Sequence, residues 1–263
     1  MRRRIRMPFA RTLPLAAVLL LVLPAALHAQ FKFREPPGRR PPAALHPDDG
    51  QLIWERFQLG RAIGAFTLEG VLVYRPAREP SRELAFRMEG DWLPARERTR
   101  LLLERANGAA STAAVEVSGG AVFPLDAAAD AGARAPLDAA ALEQPLFGDL
   151  PFSWADLLMP YLHWPAPRYL GPDRYLGRPA HRFELLNPVP ENFPARVVVT
   201  LDASYAALLR ADLHAPDGRL ARRIRVGGFR QFGDDWMFSE LNWQNRSERE
   251  SMRLAVYSFV TTP

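Results

Sequence analysis

From Arg182 to Phe259 the sequence falls into six short alternating apolar runs at close, regular intervals. They are Arg182–Leu186, Arg196–Leu201, Ala206–Leu213, Leu220–Val226, Trp236–Trp243 and Met252–Phe259. Strands spaced this tightly leave no room for crossover helices, so the spacing predicts an antiparallel sheet. Pro216-Asp217-Gly218 lies between two of the runs, and Asp-Gly there is a strong hairpin signal. The same period of two appears earlier. Phe66, Leu68, Gly70, Leu72 and Tyr74 share one face of a run that ends at Arg75-Pro76. Leu84–Met88, Thr99–Leu103 and Ala113–Val117 follow it.

Two segments read as helices instead. Asp48 or Asp49 caps one that runs to about Gln58, with Leu52, Ile53, Phe57 and Leu59 expected inward and Glu55 and Arg56 outward. Ser153-Trp154-Ala155-Asp156 has the form of an N-cap with an acid three residues on, and Pro160 limits that helix to about two turns. The fold class expected is α+β, mainly antiparallel β.

The amino terminus reads as an export signal. Residues 1–12 are basic, and Leu13 to Leu27 is an apolar run of 15 residues ahead of Ala29-Gln30, with cleavage expected after Ala29. A membrane-spanning helix needs roughly 20 apolar residues. The chain has no cysteine, so neither disulfides nor an acylated cysteine is available, and the mature protein is expected to be periplasmic and not lipid-anchored. Residues 30–45 form a Pro-rich lead-in, expected to be disordered. A single domain is expected over 46–263, with a mobile Ala-rich insertion near 127–144 in which Pro136–Glu143 is a candidate short helix.

Net charge is misleading. The chain carries 34 basic and 29 acidic residues, but Arg2, Arg3, Arg4, Arg6 and Arg11 lie in the signal, leaving 29 of each sign. A nucleic-acid reading thereby loses its support.

Catalytic motifs are absent from the sequence. The mature chain has His46, His163, His181 and His214, no two at metal-ligand spacing, so no metal or cofactor is expected. It contains no nucleophile elbow, Walker loop or dinucleotide fingerprint. Gly227-Gly228 reads as a bulge or bend, Asp234-Asp235 as a turn, and His163 as a satisfied, partly buried imidazole.

Large apolar groups are in surplus. Trp154, Leu157, Leu158, Met159, Tyr161, Leu162 and Trp164 fall within eleven residues and go most of the way round a short helix. A stripe of about 100° suffices for an ordinary core contact. Such a segment is either wholly buried or has a second face turned to a cavity. Trp236-Met237-Phe238, Leu241 to Trp243 and Met252 to Phe259 likewise place bulk on both strand faces, with few helices to cover them. A curved sheet around an apolar space, filled by side chains or by an acyl chain, accommodates the surplus.

The segments Leu150 to Leu162 (L-P-F-S-W-A-D-L-L-M-P-Y-L) and Tyr169 to Leu186 (Y-L-G-P-D-R-Y-L-G-R-P-A-H-R-F-E-L-L) carry a resemblance. R-V-V-V-T-L-D-A-S-Y and D-G-R-L-A-R-R-I-R-V extend it. Over about residues 46–260 the order resembles the outer-membrane lipoprotein-sorting proteins, the LolA/LolB-like superfamily of periplasmic carriers. The resemblance implies a curved, incomplete β-barrel covered by a few helices, no enzymatic activity, and a hydrophobic cavity for lipid acyl chains or lipoproteins. It also implies inner-membrane release machinery and an outer-membrane receptor as partners. The insertion at 127–144 and the long carboxy-terminal strands depart from the best-known carrier, and no arginine here matches its functional one. Residues expected at the cavity and its lid are Trp154, Leu157, Leu158, Tyr161, Trp164, Trp236, Phe238 and Trp243, with Arg222 and Arg246 as surface controls. An envelope protein-interaction module with a side-chain-filled core is the alternative, and a lipid hydrolase using His163 or His181 a third.

Overall fold

The computed structural model describes residues 47–262, apart from residue 62 and the segments 94–95, 106–109, 119–120, 126–134, 147–149 and 151–152. The expected signal, the lead-in and half of the Ala-rich insertion lie outside the described residues.

The elements run α1 (Pro47–Gly60), β1 (Gly64–Arg75), β2 (Arg82–Leu93), β3 (Arg96–Arg105), β4 (Ala110–Ser118) and β5 (Ala121–Pro124). Then come α2 (Ala139–Glu143), α3 (Trp154–Leu158) and a 3-10 turn (Pro160–His163). The chain continues as β6 (Arg168–Tyr175), β7 (Arg178–Leu186), β8 (Arg196–Asp202), β9 (Leu208–His214), β10 (Leu220–Phe232), β11 (Asp235–Asn245) and β12 (Glu250–Thr262). All twelve strands form one sheet, ordered β5-β4-β3-β2-β1-β12-β11-β10-β9-β8-β7-β6, and every neighbouring pair is antiparallel. Two meanders, β1–β5 and β6–β12, are thus joined through the β1–β12 ladder. The sheet's two edges, β5 and β6, are linked by α2, α3 and the 3-10 turn.

The sheet folds back on itself. β3 and β7 are eight strands apart, roughly 38 Å if the sheet were flat. Yet α1 touches both. Trp54 lies 5.5 Å from Phe183 of β7 by ring centroids, and Arg61, just past the helix, reaches Glu97 of β3 at 3.1 Å. Seven residues of helix span only about 10 Å. The result is an open half-barrel with α1, α3 and the 3-10 turn plugging its concave side.

The inward residues follow the period-two reading. One cross-strand row runs Phe183, Val199, Ala211, Ile224, Trp243, Met252 and Tyr74, each registered with the next. All are buried. The expected two-faced surplus in β12 is resolved by an irregularity: Glu69 opposes Ser258 but Gly70 opposes Val256, leaving Tyr257 as an extra residue. Met252, Leu254, Val256 and Phe259 therefore all point inward, while Tyr257 stands 56% exposed.

Ten strands were expected and twelve are present among the described residues; β5 and β6 are the additions. In α1, Leu52 and Leu59 face solvent and Trp54 and Phe57 face the sheet. Phe57 faces inward as expected and Ile53 packs against the core, but Leu52 and Leu59, seven residues apart on one stripe opposite Trp54, do not. Pro47 begins the helix, so Asp48 and Asp49 fall in its first turn and do not cap it. Ser153 and Asp156 form the expected capping box, and α3 ends at Met159 in the left-handed region.

Beyond Val226 the β10–β11 hairpin leaves the sheet. β9 pairs with β10 only as far as Arg225, and β12 pairs with β11 only from Glu240. Residues 226–239 thus form a two-stranded arm. Its base is the Gly227-Gly228 pair, where the register shifts twice. A Cβ on Gly227 would lie 2.6 Å from the Glu240 carboxylate, which would have to swing aside to admit one.

Candidate functional site: the plugged concave face

The concave wall is lined by Phe66, Leu68, Leu72, Phe86, Leu101, Phe183, Val199, Leu213, Ile224 and Leu254, all buried in one cluster. Trp54, Phe57, Met159, Tyr161 and Leu162 of the plug join the same cluster. Trp154 and Leu158 instead meet Val115, Val117 and Val122 near the β5 edge, and Leu157 packs against both clusters. The space beside Trp154 is thus occupied by valines.

Of the eight residues expected at the cavity and lid, six come together around the plug: Trp154, Leu157, Leu158, Tyr161, Trp164 and Trp243. Trp164 meets Tyr161 edge-on at 6.3 Å, and Trp243 donates its indole N–H to the Asp156 carbonyl at 3.0 Å. Phe238 lies on the arm and packs against the main cluster from the side. Trp236 does not join them. It stands 63% exposed near the arm's tip, because the hairpin outruns its neighbours there.

A polar latch ties the plug to the wall, and sequence reading missed it. Arg222 of β10 pairs with Glu143 of α2 at 2.6 Å and contacts Asp156 of α3 at 3.4 Å. Its guanidinium also lies 5.0 Å from the Phe193 ring. Arg222 is therefore no surface control; its side chain is 24% exposed and committed to two helices. Asp156 is buried and also accepts from the Ser153 backbone N–H at 3.2 Å and hydroxyl at 3.0 Å. Burial raises its pKa, only partly offset by Arg222 and these hydrogen bonds. Glu143 is pushed up to about 7, chiefly by burial and further by the Asp156 charge, against the pull of Arg222. The short ion pair and the raised pKa pull opposite ways. Two carboxylates sharing one cation in a poorly hydrated place favour a retained proton, and the upward shift prevails. A capping box followed by Arg in a later strand was the only sequence hint, and it does not specify a partner.

Beside this latch a cavity of about 20 Å³ is lined by Tyr74, Asp156, Arg222, Trp243, Glu250 and Met252, among others. That is room for one water. The Tyr74 hydroxyl is raised to about 12, by burial first and then by Glu250.

A second polar group sits where α1 meets the 3-10 turn. Arg61 donates to Glu97 at 3.1 Å, and the His163 ring lies 3.5 Å from the same carboxylate oxygen. Gln58 donates to the Leu162 carbonyl across the joint. On the opposite flank His181 is buried with its Nδ1 3.0 Å from the Tyr169 hydroxyl, and burial lowers its pKa. Among the described residues no group of three or more His, Asp or Glu is placed to hold a metal.

The convex side of β6–β9 is charged and paired. Glu184 accepts from Arg168 and Arg196, Asp202 from Arg178, and Asp212 from Arg223, with Arg210 forming an ion pair with Asp212 at 3.2 Å. Among the described residues no helix is long and apolar enough to cross a membrane.

No family model matches the sequence, and no curated protein matches it. Solved structures do. An outer membrane lipoprotein-sorting protein domain from Vibrio parahaemolyticus superposes with a TM-score of 0.66 at 13% identity, covering 82% of this chain and 93% of that one. A LolA superfamily protein from Nitrosomonas europaea gives 0.60 at 14% identity over 81% and 93%. A DUF1329 family protein from Desulfovibrio piger gives 0.68 at 12% identity over 82% and 92%. At these identities the agreement is one of fold.

Proposed function

We infer that this chain, which has the LolA-like fold, is a periplasmic carrier that takes acyl chains of lipids or lipoproteins against the concave wall of its half-barrel. The carrying observation is the kind of cover the wall has. The apolar inner face of a twelve-stranded sheet is buried not by a second sheet but by α1, α3 and the 3-10 turn, separate helical elements that could lift away from it. Trp154, Leu157, Leu158, Tyr161, Trp164 and Trp243 would meet the guest, with Phe238 at the flank. Trp236 is left out of this set.

Binding in this reading is an exchange. An acyl chain gains about 0.8 kcal/mol per buried methylene, roughly 12 kcal/mol for fifteen. Lifting Trp54, Phe57, Tyr161 and Leu162 off the wall gives up about 1.5–3 kcal/mol each, a comparable sum. Net affinity is then modest and easily reversed, as suits a carrier that loads and unloads. Hand-over between an inner-membrane donor and an outer-membrane receptor belongs to the same proposal.

The test is lipid extraction and mass spectrometry of the mature protein purified from a periplasmic fraction, with titration of a fluorescent fatty-acid probe. Leu157→Lys, at a partly exposed plug position, should weaken the probe at least tenfold, and Arg246→Ala should not. Protein that carries no lipid and ignores the probe would refute the carrier. One observation favours the second reading, a protein-interaction module: beside the latch the open volume is only about 20 Å³. Recovery of one stoichiometric protein partner without lipid would select it.

A further inference from the structure

The wall's alternation brings Leu103, Leu101, Thr99 and Glu97 to the inside of β3, and all four are buried. Glu97 is thus a carboxylate facing the plug, registered opposite Trp92 and Val117. Arg61 satisfies one of its oxygens through Nη2. Around that pair the hydrogen bonding is unfinished. Arg61 Nη1, His163 Nε2 and the Tyr161 hydroxyl are all buried and have no hydrogen-bond partner. His163 Nε2 lies 3.5 Å from Glu97 but outside hydrogen-bonding geometry. Tyr161 is 1% exposed; burial raises its hydroxyl's pKa well above the ordinary range, the Asp156 and Glu143 charges add to that, and the Arg61 charge pulls against them.

Native proteins leave few buried polar atoms unpaired, and a group of them asks for a cause. Here all three belong to the plug: Arg61 follows α1, and Tyr161 and His163 are on the 3-10 turn. Arg61 and His163 converge on Glu97, and Tyr161 lies two residues before His163 on the same turn, at the joint that would part if the plug lifted. A guanidinium offers only donors, and a tyrosine hydroxyl can donate as well. Glu97 balances one positive charge and leaves Arg61 Nη1 unused. The group that completes such a set is an acceptor, and a charged one completes it best.

We propose that this joint is a head-group subsite, in which a carboxylate or phosphate at the end of an acyl chain is held by Arg61 Nη1, His163 Nε2 and the Tyr161 hydroxyl. This rests on the carrier reading and narrows its cargo to anionic amphiphiles. The chain of the guest lies along the wall toward Leu68 and Leu101, and its head sits at the parted joint. Glu97 competes with the guest for Arg61, so it sets the strength of the grip and favours release when the plug closes.

The experiment is probe displacement from the full mature protein by matched pairs: palmitic acid against methyl palmitate, and dioleoyl phosphatidic acid against dioleoylglycerol. The acid of a pair should bind about tenfold more tightly than its neutral partner. Which pair shows the preference tells a free carboxylate from a lipid phosphate. Tyr161→Phe, which keeps the Arg61–Glu97 pair, should reduce the preference for the acid over its neutral partner about threefold. Arg61→Gln should abolish it, and Glu97→Gln should enlarge it. Equal binding of acid and neutral partner in both pairs overturns the subsite while the carrier reading stands. So does a preference that survives unchanged in Tyr161→Phe and Arg61→Gln, since a buried water at the joint would give that result. If no ligand displaces the probe, both readings fall together.

Discussion

Glu143→Gln tests the latch most directly, because two readings of the same contact predict opposite signs. Glu143 lies 2.6 Å from Arg222, which suggests a stabilising ion pair whose loss would cost stability. Its pKa, however, is raised from 4.5 to about 7 by burial and by Asp156. A raised pKa means that the folded state holds a proton which the unfolded chain has released. Stability from this group is therefore complete below about pH 4.5 and is lost as pH rises toward 7, with no further loss above. The shift of about 2.5 pH units, at 1.36 kcal/mol each, corresponds to ~3 kcal/mol. Glutamine imitates the protonated acid, keeps an oxygen for Arg222 and cannot ionise. The variant should match wild type near pH 4.5 and exceed it by up to ~3 kcal/mol at pH 8, roughly 6–12 °C in midpoint for a domain of this size. Urea unfolding of both proteins from pH 4.5 to 8.5 measures the difference, which cancels every other titrating group. A variant less stable than wild type at pH 8 would show that the ion pair dominates, and the argument from burial would be wrong.

Other perturbations follow from the same structure. Leu68→Ala, at a position with no exposed surface, should cost about 2–5 kcal/mol in urea unfolding. His181 has a lowered pKa, so wild type should lose stability as pH falls below about 6.5, where the unfolded chain takes up the proton first; His181→Phe should flatten that acid limb. Gly90→Ala would bring a Cβ within 2.1 Å of the Phe66 ring, which also packs on Trp92 and Phe259, and should lower the thermal midpoint by several degrees. Trp236→Ser, at the exposed arm tip, should leave unfolding within about 0.5 kcal/mol of wild type and probe binding unchanged.

What could be read in advance depended on how much of each signal is local. Inward strand faces are local: Phe66 to Tyr74 alternate, and the structure buries that face. The capping box of α3 is local too, with Ser153 and Asp156 three residues apart. The strands missed are the two edges. β6 contains Gly171-Pro172, and β5 is four residues long and ends in proline; edge strands tolerate and even favour such residues, which resemble turn signals when the sheet is not in view. The exposure of Trp236 was illegible because it depends on where β9 and β12 stop pairing, not on the run Trp236-Met237-Phe238. Arg222 and Glu97 were illegible for a related reason. An arginine in β10 sits among other arginines in sequence, and only the return of α2 and α3 across the concave side sets it apart.

That return has a mechanical consequence. The segment from β5 to β6, which carries α2, α3 and the 3-10 turn, leaves one edge of the sheet and rejoins the other, so it is tied at both ends, while α1 is tied to β1. On the proposed carrier reading, lifting α2 and α3 would part the Arg222 latch on β10, and lifting the end of α1 would part the Arg61–Glu97 joint on β3. The two lie on opposite meanders and hold different plug elements: the latch grips α2 and α3, the joint grips the end of α1 and the 3-10 turn. On that reading, opening would be controlled by charge at two places while the area exchanged is apolar. A guest would contribute the apolar part without regard to identity, and selectivity would be exercised at those two charged contacts.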